Sequence, residues 1–115
     1  MFSLFKKPQS PLQKHAERVA NKRGQAVDRW DAIQALSRTG GPESVAALLP
    51  RFTFYVDPSI TDQEEKDAAF EGVVSVGEAA LRPVIAFLRK TDSISWPVKM
   101  LDRITTEDAV KAIKA

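Results

Sequence analysis

A helical pattern recurs along this chain at a spacing of about 37 residues, the range in which helical hairpins repeat as stacked arrays. The first copy runs from Arg29 to Phe52 and returns between Lys66 and Leu88. In the first, Val45, Leu48, Leu49 and Phe52 form an i, i+3, i+4, i+7 stripe; Leu81, Val84, Ile85 and Leu88 repeat it thirty-six positions later. A hairpin of this size cannot bury its apolar face alone, so neighbouring copies must stack. The spacing predicts an all-α chain, an α-solenoid of antiparallel helical hairpins with about six to seven helices.

Local signals divide residues 11–115 into one helical domain behind a flexible apolar and basic N-terminus, residues 1–10. Ser10-Pro11-Leu12-Gln13 combines an N-cap, a first-turn proline and a capping-box Gln, which predicts a cap helix over 11–23. Val27, Trp30, Ile33 and Leu36 then recur at helical intervals until Gly40-Gly41, and Pro42 opens a second helix, giving a hairpin over 26–52. Thr61-Asp62-Gln63-Glu64 reads as a capping box for a hairpin over 62–90, with Pro83 tolerated near the start of its second helix. A third, shorter copy is expected over 96–115: Ser95 and Pro97 start one helix, and Thr105-Thr106-Glu107-Asp108 caps another. Such an array would end on Ala112, Ile113 and Ala115, leaving an apolar end suited to end-to-end self-association.

The pattern Arg29-x-x-Ala32, Leu36, Gly40, Pro42-Glu43-x-Val45-x-x-Leu48-Leu49 resembles a HEAT repeat of the bacterial phycobilisome-lyase-like type. Ala68-Ala69 through Gly77, then Ala79-Ala80-Leu81-x-Pro83-Val84-Ile85-x-x-Leu88, is similar to it again, although Gly72 stands where Ala or Leu is usual. The resemblance covers roughly residues 26–113 and implies an α-solenoid that binds other proteins; it does not imply lyase activity. In such arrays the second helix of each hairpin lines the concave face. The resemblance therefore places Arg51, Arg82, Arg89, Lys90 and Lys111 on or beside that face, a basic groove for an acidic, partly apolar protein segment; Phe87, off the apolar stripe, either packs sideways against the next hairpin or is exposed there as a binding anchor.

Charge offers a second possibility. Residues 1–29 carry seven Lys and Arg against two acids, net +5, whereas the remainder carries ten against thirteen, net −3. Trp30 continues the stripe of Ile33 and reads as inter-repeat core packing with Phe70 and Trp96; alternatively Lys14, Arg18, Lys22, Arg23 and Arg29 could form a nucleic-acid surface on which Trp30 stacks on a base. The segment Phe2, Leu4, Phe5, Lys6, Lys7 could dock on an anionic surface or in a partner's groove, or remain a loose terminus.

No motif assembles an enzyme, a cofactor site or a metal centre. The chain contains no cysteine, which excludes disulfides and thiolate chemistry and fits a reducing cytoplasm. His15 is the only histidine and reads as a solvent-facing helical residue. Glu64, Asp67 and Glu71 share a helix face without a loop to wrap an ion, so they read as a solvated face favoured by the helix dipole. No stretch approaches the ~20 apolar residues of a membrane span.

Overall fold

The computed structural model describes the backbone of residues 10–114 and the side chains of residues 10–107. It contains six α-helices and, among the described residues, no strand: α1 (Pro11–Val19), α2 (Ala26–Thr39), α3 (Gly41–Leu48), α4 (Ser59–Val74), α5 (Leu81–Lys90) and α6 (Ser95–Lys114). None of the helices searched is long and apolar enough to cross a membrane. The N-terminal segment Phe2–Lys7 and the side chains of Lys111, Ala112, Ile113 and Ala115 lie outside the described residues.

The capping box that Ser10 and Gln13 promise is formed in both directions, and α1 turns its Val19 into the core. Between α2 and α3, Gly40 and Gly41 both adopt positive φ, 69° and 83°, a region in which a Cβ is penalised, so two helices meet with almost no loop. Prolines decide where the next helices tighten. Pro50 cannot donate the amide that would continue α3, and the chain passes into a 3-10 turn over Leu49–Thr53. A second 3-10 turn, Gly77–Ala80, precedes α5 and leaves Pro83 at the third helical position, where its missing N–H has no intrahelical partner to lose.

α4 begins at Ser59, two residues before the expected capping box, behind a cis Asp57–Pro58 bond and without a side-chain cap. The side chain of Asp62 is directed elsewhere, as described below. The largest departure lies at the C-terminal end. Instead of a short hairpin over 96–115, α6 runs unbroken through Thr105 and Thr106. The Thr105 hydroxyl donates back to the carbonyls of Leu101 and Asp102 rather than capping a new helix, so no break forms.

Packing alternates along the chain: α1 lies against α3 and α3 against α5, while α2 lies against α4 and α4 against α6. The core between these two rows comprises Ile33 and Leu36 of α2, Val45 and Leu48 of α3, Ala69 and Val73 of α4, Val84 of α5, and Met100 and Ile104 of α6. Trp96, in the first turn of α6, seats its ring 5.0 Å from Phe52 and 5.8 Å from Phe70, both tilted, which pins α6 to the preceding elements. Ile85, expected on an apolar stripe, is instead exposed, as is Val98. Gly72 sits at a close approach between helices. A Cβ there would collide with the Ser37 hydroxyl and approach the Leu48 Cδ1 to 3.1 Å, so glycine is what lets α4 lie this close to α2 and α3.

Candidate partner-binding surface

Two of the ten cations expected at binding surfaces are structural. Arg51 is fully buried. It lies in the 3-10 turn that follows α3 and is turned into the interior instead of facing a groove. Its Nε donates to Glu65 Oε1 at 2.8 Å, one terminal nitrogen to Asp62 Oδ1 at 2.7 Å and the other to the Phe54 carbonyl at 2.9 Å, and its guanidinium lies over the Phe54 ring.

Arg29 is removed from the nucleic-acid set in the same way, being 3% exposed. Its guanidinium pairs bidentately with Glu65, at 2.8 and 3.2 Å, and donates to the Gly24 carbonyl at 2.6 Å. Glu65 therefore holds two arginines from different elements. Asp62 extends the network, accepting from the Val56 amide and from Lys66 Nζ at 2.8 Å. Nearly every polar atom of the two arginines is matched, the condition under which buried charges are tolerable. The network ties the α1–α2 turn, α2, the 3-10 turn, the 54–58 connection and α4 into one block.

Asp62 carries a pH signature. Burial pushes its carboxyl upward, but Lys66, Arg51 and the Val56 N–H together outweigh burial and hold it below the ordinary aspartate value. A carboxyl with a lower pKa folded than unfolded contributes stability that is complete above the unfolded value of about 3.9 and is lost as pH falls through that value toward the folded one. The melting temperature should accordingly decline below about pH 4, and Asp62→Asn should flatten that decline, at the cost of lower stability at neutral pH. An unchanged acid slope in Asp62→Asn would contradict this account.

The cations that remain available lie on two surfaces. Arg82, Arg89 and Lys90 are exposed on α5 and Phe87 is half-buried. A groove of ≈ 260 Å³ runs between α3 and α5, with Leu49 and Pro50 on one wall and Pro83, Ala86 and Phe87 on the other. Lys90 lines both this groove and a hollow of ≈ 250 Å³ beside Phe52 and Thr53. At about 100° per residue Pro83, Ala86, Phe87 and Lys90 share one face of α5, and Arg82 and Arg89 lie together to one side of it, roughly 100° from its centre. The fully buried Val84 lies on another face and anchors the helix. The second surface is Lys14 and Arg18 on α1 with Lys22 and Arg23 in the following turn, all exposed.

Other expectations resolve individually. Trp30 is not core: it remains 39% exposed, because the buried face of α2 is Arg29, Ala32, Ile33 and Leu36 and not the series through Val27 and Trp30. His15 is half-buried, its Nδ1 turned inward without a hydrogen-bond partner among the described residues. Asp67 accepts from Gln63 and Glu71 faces Arg103; among the described residues no group of three or more His, Asp and Glu is placed to hold a metal ion. Tyr55 lines a separate cleft of ≈ 320 Å³ with Lys22, Arg29 and Asp57; desolvation and then Asp57 raise its phenol above the usual value. The charged residues aligned with apolar stripes, Arg29 with Ile33 and Leu36, and Glu65 with Ala69 and Gly72, are the signal by which the buried network was legible in principle.

Comparison with protein-family models, with curated proteins and with solved structures finds no match to this chain.

Proposed function

We propose that this chain is a HEAT-like α-solenoid acting in the cytoplasm as a non-enzymatic protein-interaction module. Its groove between α3 and α5 takes an acidic, partly apolar protein segment. The observation that carries this reading is an apolar trough walled on α5 by Pro83, Ala86 and Phe87 and lined by Lys90, with the exposed Arg82 and Arg89 together along one side of it. A trough of this kind accepts an apolar side chain, and cations in it and along one side select carboxylates and accelerate encounter. The alternation of α1, α3, α5 against α2, α4, α6 supports the solenoid reading, since in such arrays each row contacts its own neighbours. Arg51 supports the rigid wall behind the trough instead of contacting the partner.

Reversing Arg82 and Arg89 to glutamate should weaken binding of a peptide of alternating glutamate and leucine at least tenfold. The circular dichroism and melting temperature should stay nearly unchanged, because both side chains are exposed. Unaltered peptide binding would sink the assignment. The exposed group Lys14, Arg18, Lys22 and Arg23 favours nucleic acid as the second reading. That reading requires binding that falls steeply with salt, and no binding to oligonucleotides at low salt removes it.

A further inference from the structure

A second surface, opposite in charge, lies between α2 and α4. Trp30 and Val27 are 39% and 57% exposed, and with Ala26 they line a cleft of ≈ 230 Å³ whose other wall is Thr61, Glu64 and Glu65 of α4. Ile60, beside this wall in sequence, is 66% exposed. The Glu65 carboxylate is committed to Arg29 and Arg51, but Glu64 is exposed, as is Asp31, which follows Trp30 on α2, and neither has an ion pair among the described residues. Of the cations near this cleft, Arg29 is buried in its network and Lys66 is held by Asp62, while the exposed Lys22 lines the neighbouring cleft beyond Ala26.

An exposed indole across a cleft from the exposed Glu64 carboxylate is a poor place for a phosphate, which argues against base stacking at Trp30. It suits a cation instead: a guanidinium or ammonium can lie on the indole face and be paired by Glu64, while a neighbouring apolar side chain covers Val27. We propose that the α2–α4 cleft docks a basic, partly apolar protein segment, with an arginine or lysine of the partner on Trp30 and paired by Glu64. The chain then carries two docking surfaces of opposite preference, acidic segments at α5 and basic segments at Trp30, and can hold two partners at once.

The test uses the full chain and a synthetic peptide with arginine and leucine at helical spacing, with its glutamate-for-arginine counterpart as control, followed by calorimetry and tryptophan emission. The arginine peptide should bind and change the emission of the half-exposed Trp30. Trp30→Ala and Glu64→Lys should each weaken it at least tenfold while leaving the fold intact, since both positions are exposed. The Arg82→Glu/Arg89→Glu double variant should bind it as the parent does, which separates this surface from the α5 groove. The glutamate peptide is directed to the α5 groove, so Trp30→Ala should leave its affinity unchanged; wild-type affinity for the arginine peptide in both single variants, loss of that binding in the double variant, or equal weakening of both peptides by Trp30→Ala would each overturn the proposal.

Discussion

Glu65→Leu is expected to lower stability by about 3–5 kcal/mol. The cost does not come from the strength of one ion pair. Glu65 Oε1 accepts from Arg29 Nε and Arg51 Nε, each at 2.8 Å, and neither arginine has water to fall back on. Leucine would fill part of the space and leave two guanidinium groups buried together, with only Asp62 and backbone carbonyls near them. Set against the ~5–15 kcal/mol that ordinarily separates folded from unfolded chains, the loss should be visible as a fall in melting temperature of the order of 10–20 °C. Urea denaturation followed by circular dichroism measures it directly. Replacing Arg29, Arg51 and Glu65 together by apolar residues of similar volume should restore much of the loss, because the desolvation penalty disappears with the charges. A Glu65→Leu variant within ~1 kcal/mol of the parent would mean that the network is hydrated and not closed.

Trp96→Ala should cost about 3–5 kcal/mol, whereas Trp30→Ala should cost less than about 1 kcal/mol. Trp96 fills the space between Phe52 and Phe70 and is the point at which α6 is fastened to the elements before it, so truncation opens a cavity that the tilted rings on either side cannot collapse to fill. Trp30 lies on a surface already open to solvent. Chemical denaturation of both variants side by side checks the contrast, and equal losses would refute the difference in packing on which the Trp30 docking surface depends. The aromatic band of near-ultraviolet circular dichroism should fall chiefly in Trp96→Ala, since a tryptophan held against two rings has a fixed chiral environment.

Both contrasts show how far the sequence could be read. The apolar stripe of Val45, Leu48, Leu49 and Phe52, the Ser10 capping box and the Gly40–Gly41 turn are local: periodicity, a cap and positive φ depend on residues a few positions apart, and all are present in the fold. Arg51 defeated that kind of reading because its direction depends on Pro50, which changes the winding from 3.6 to about three residues per turn just where the side chain must choose a face. Trp30 defeated it because two helical series overlap on α2, one through Trp30 and one through Arg29, and hydrophobicity favours the wrong one. The expected break at Thr105 failed because a threonine hydroxyl caps a helix or bonds back into it with the same chemistry, and neighbouring packing selects between them.

By itself, then, the sequence determined an all-helical chain, the positions of most helices and the basic face of α5, since these follow from periodicity, caps and charge along the backbone. Only the tertiary structure decided which arginines are structural and which tryptophan is available to a partner. A charged side chain can enter the interior only where opposite charge arrives from another element, as Glu65 arrives from thirty-six residues beyond Arg29, and no local pattern encodes that meeting.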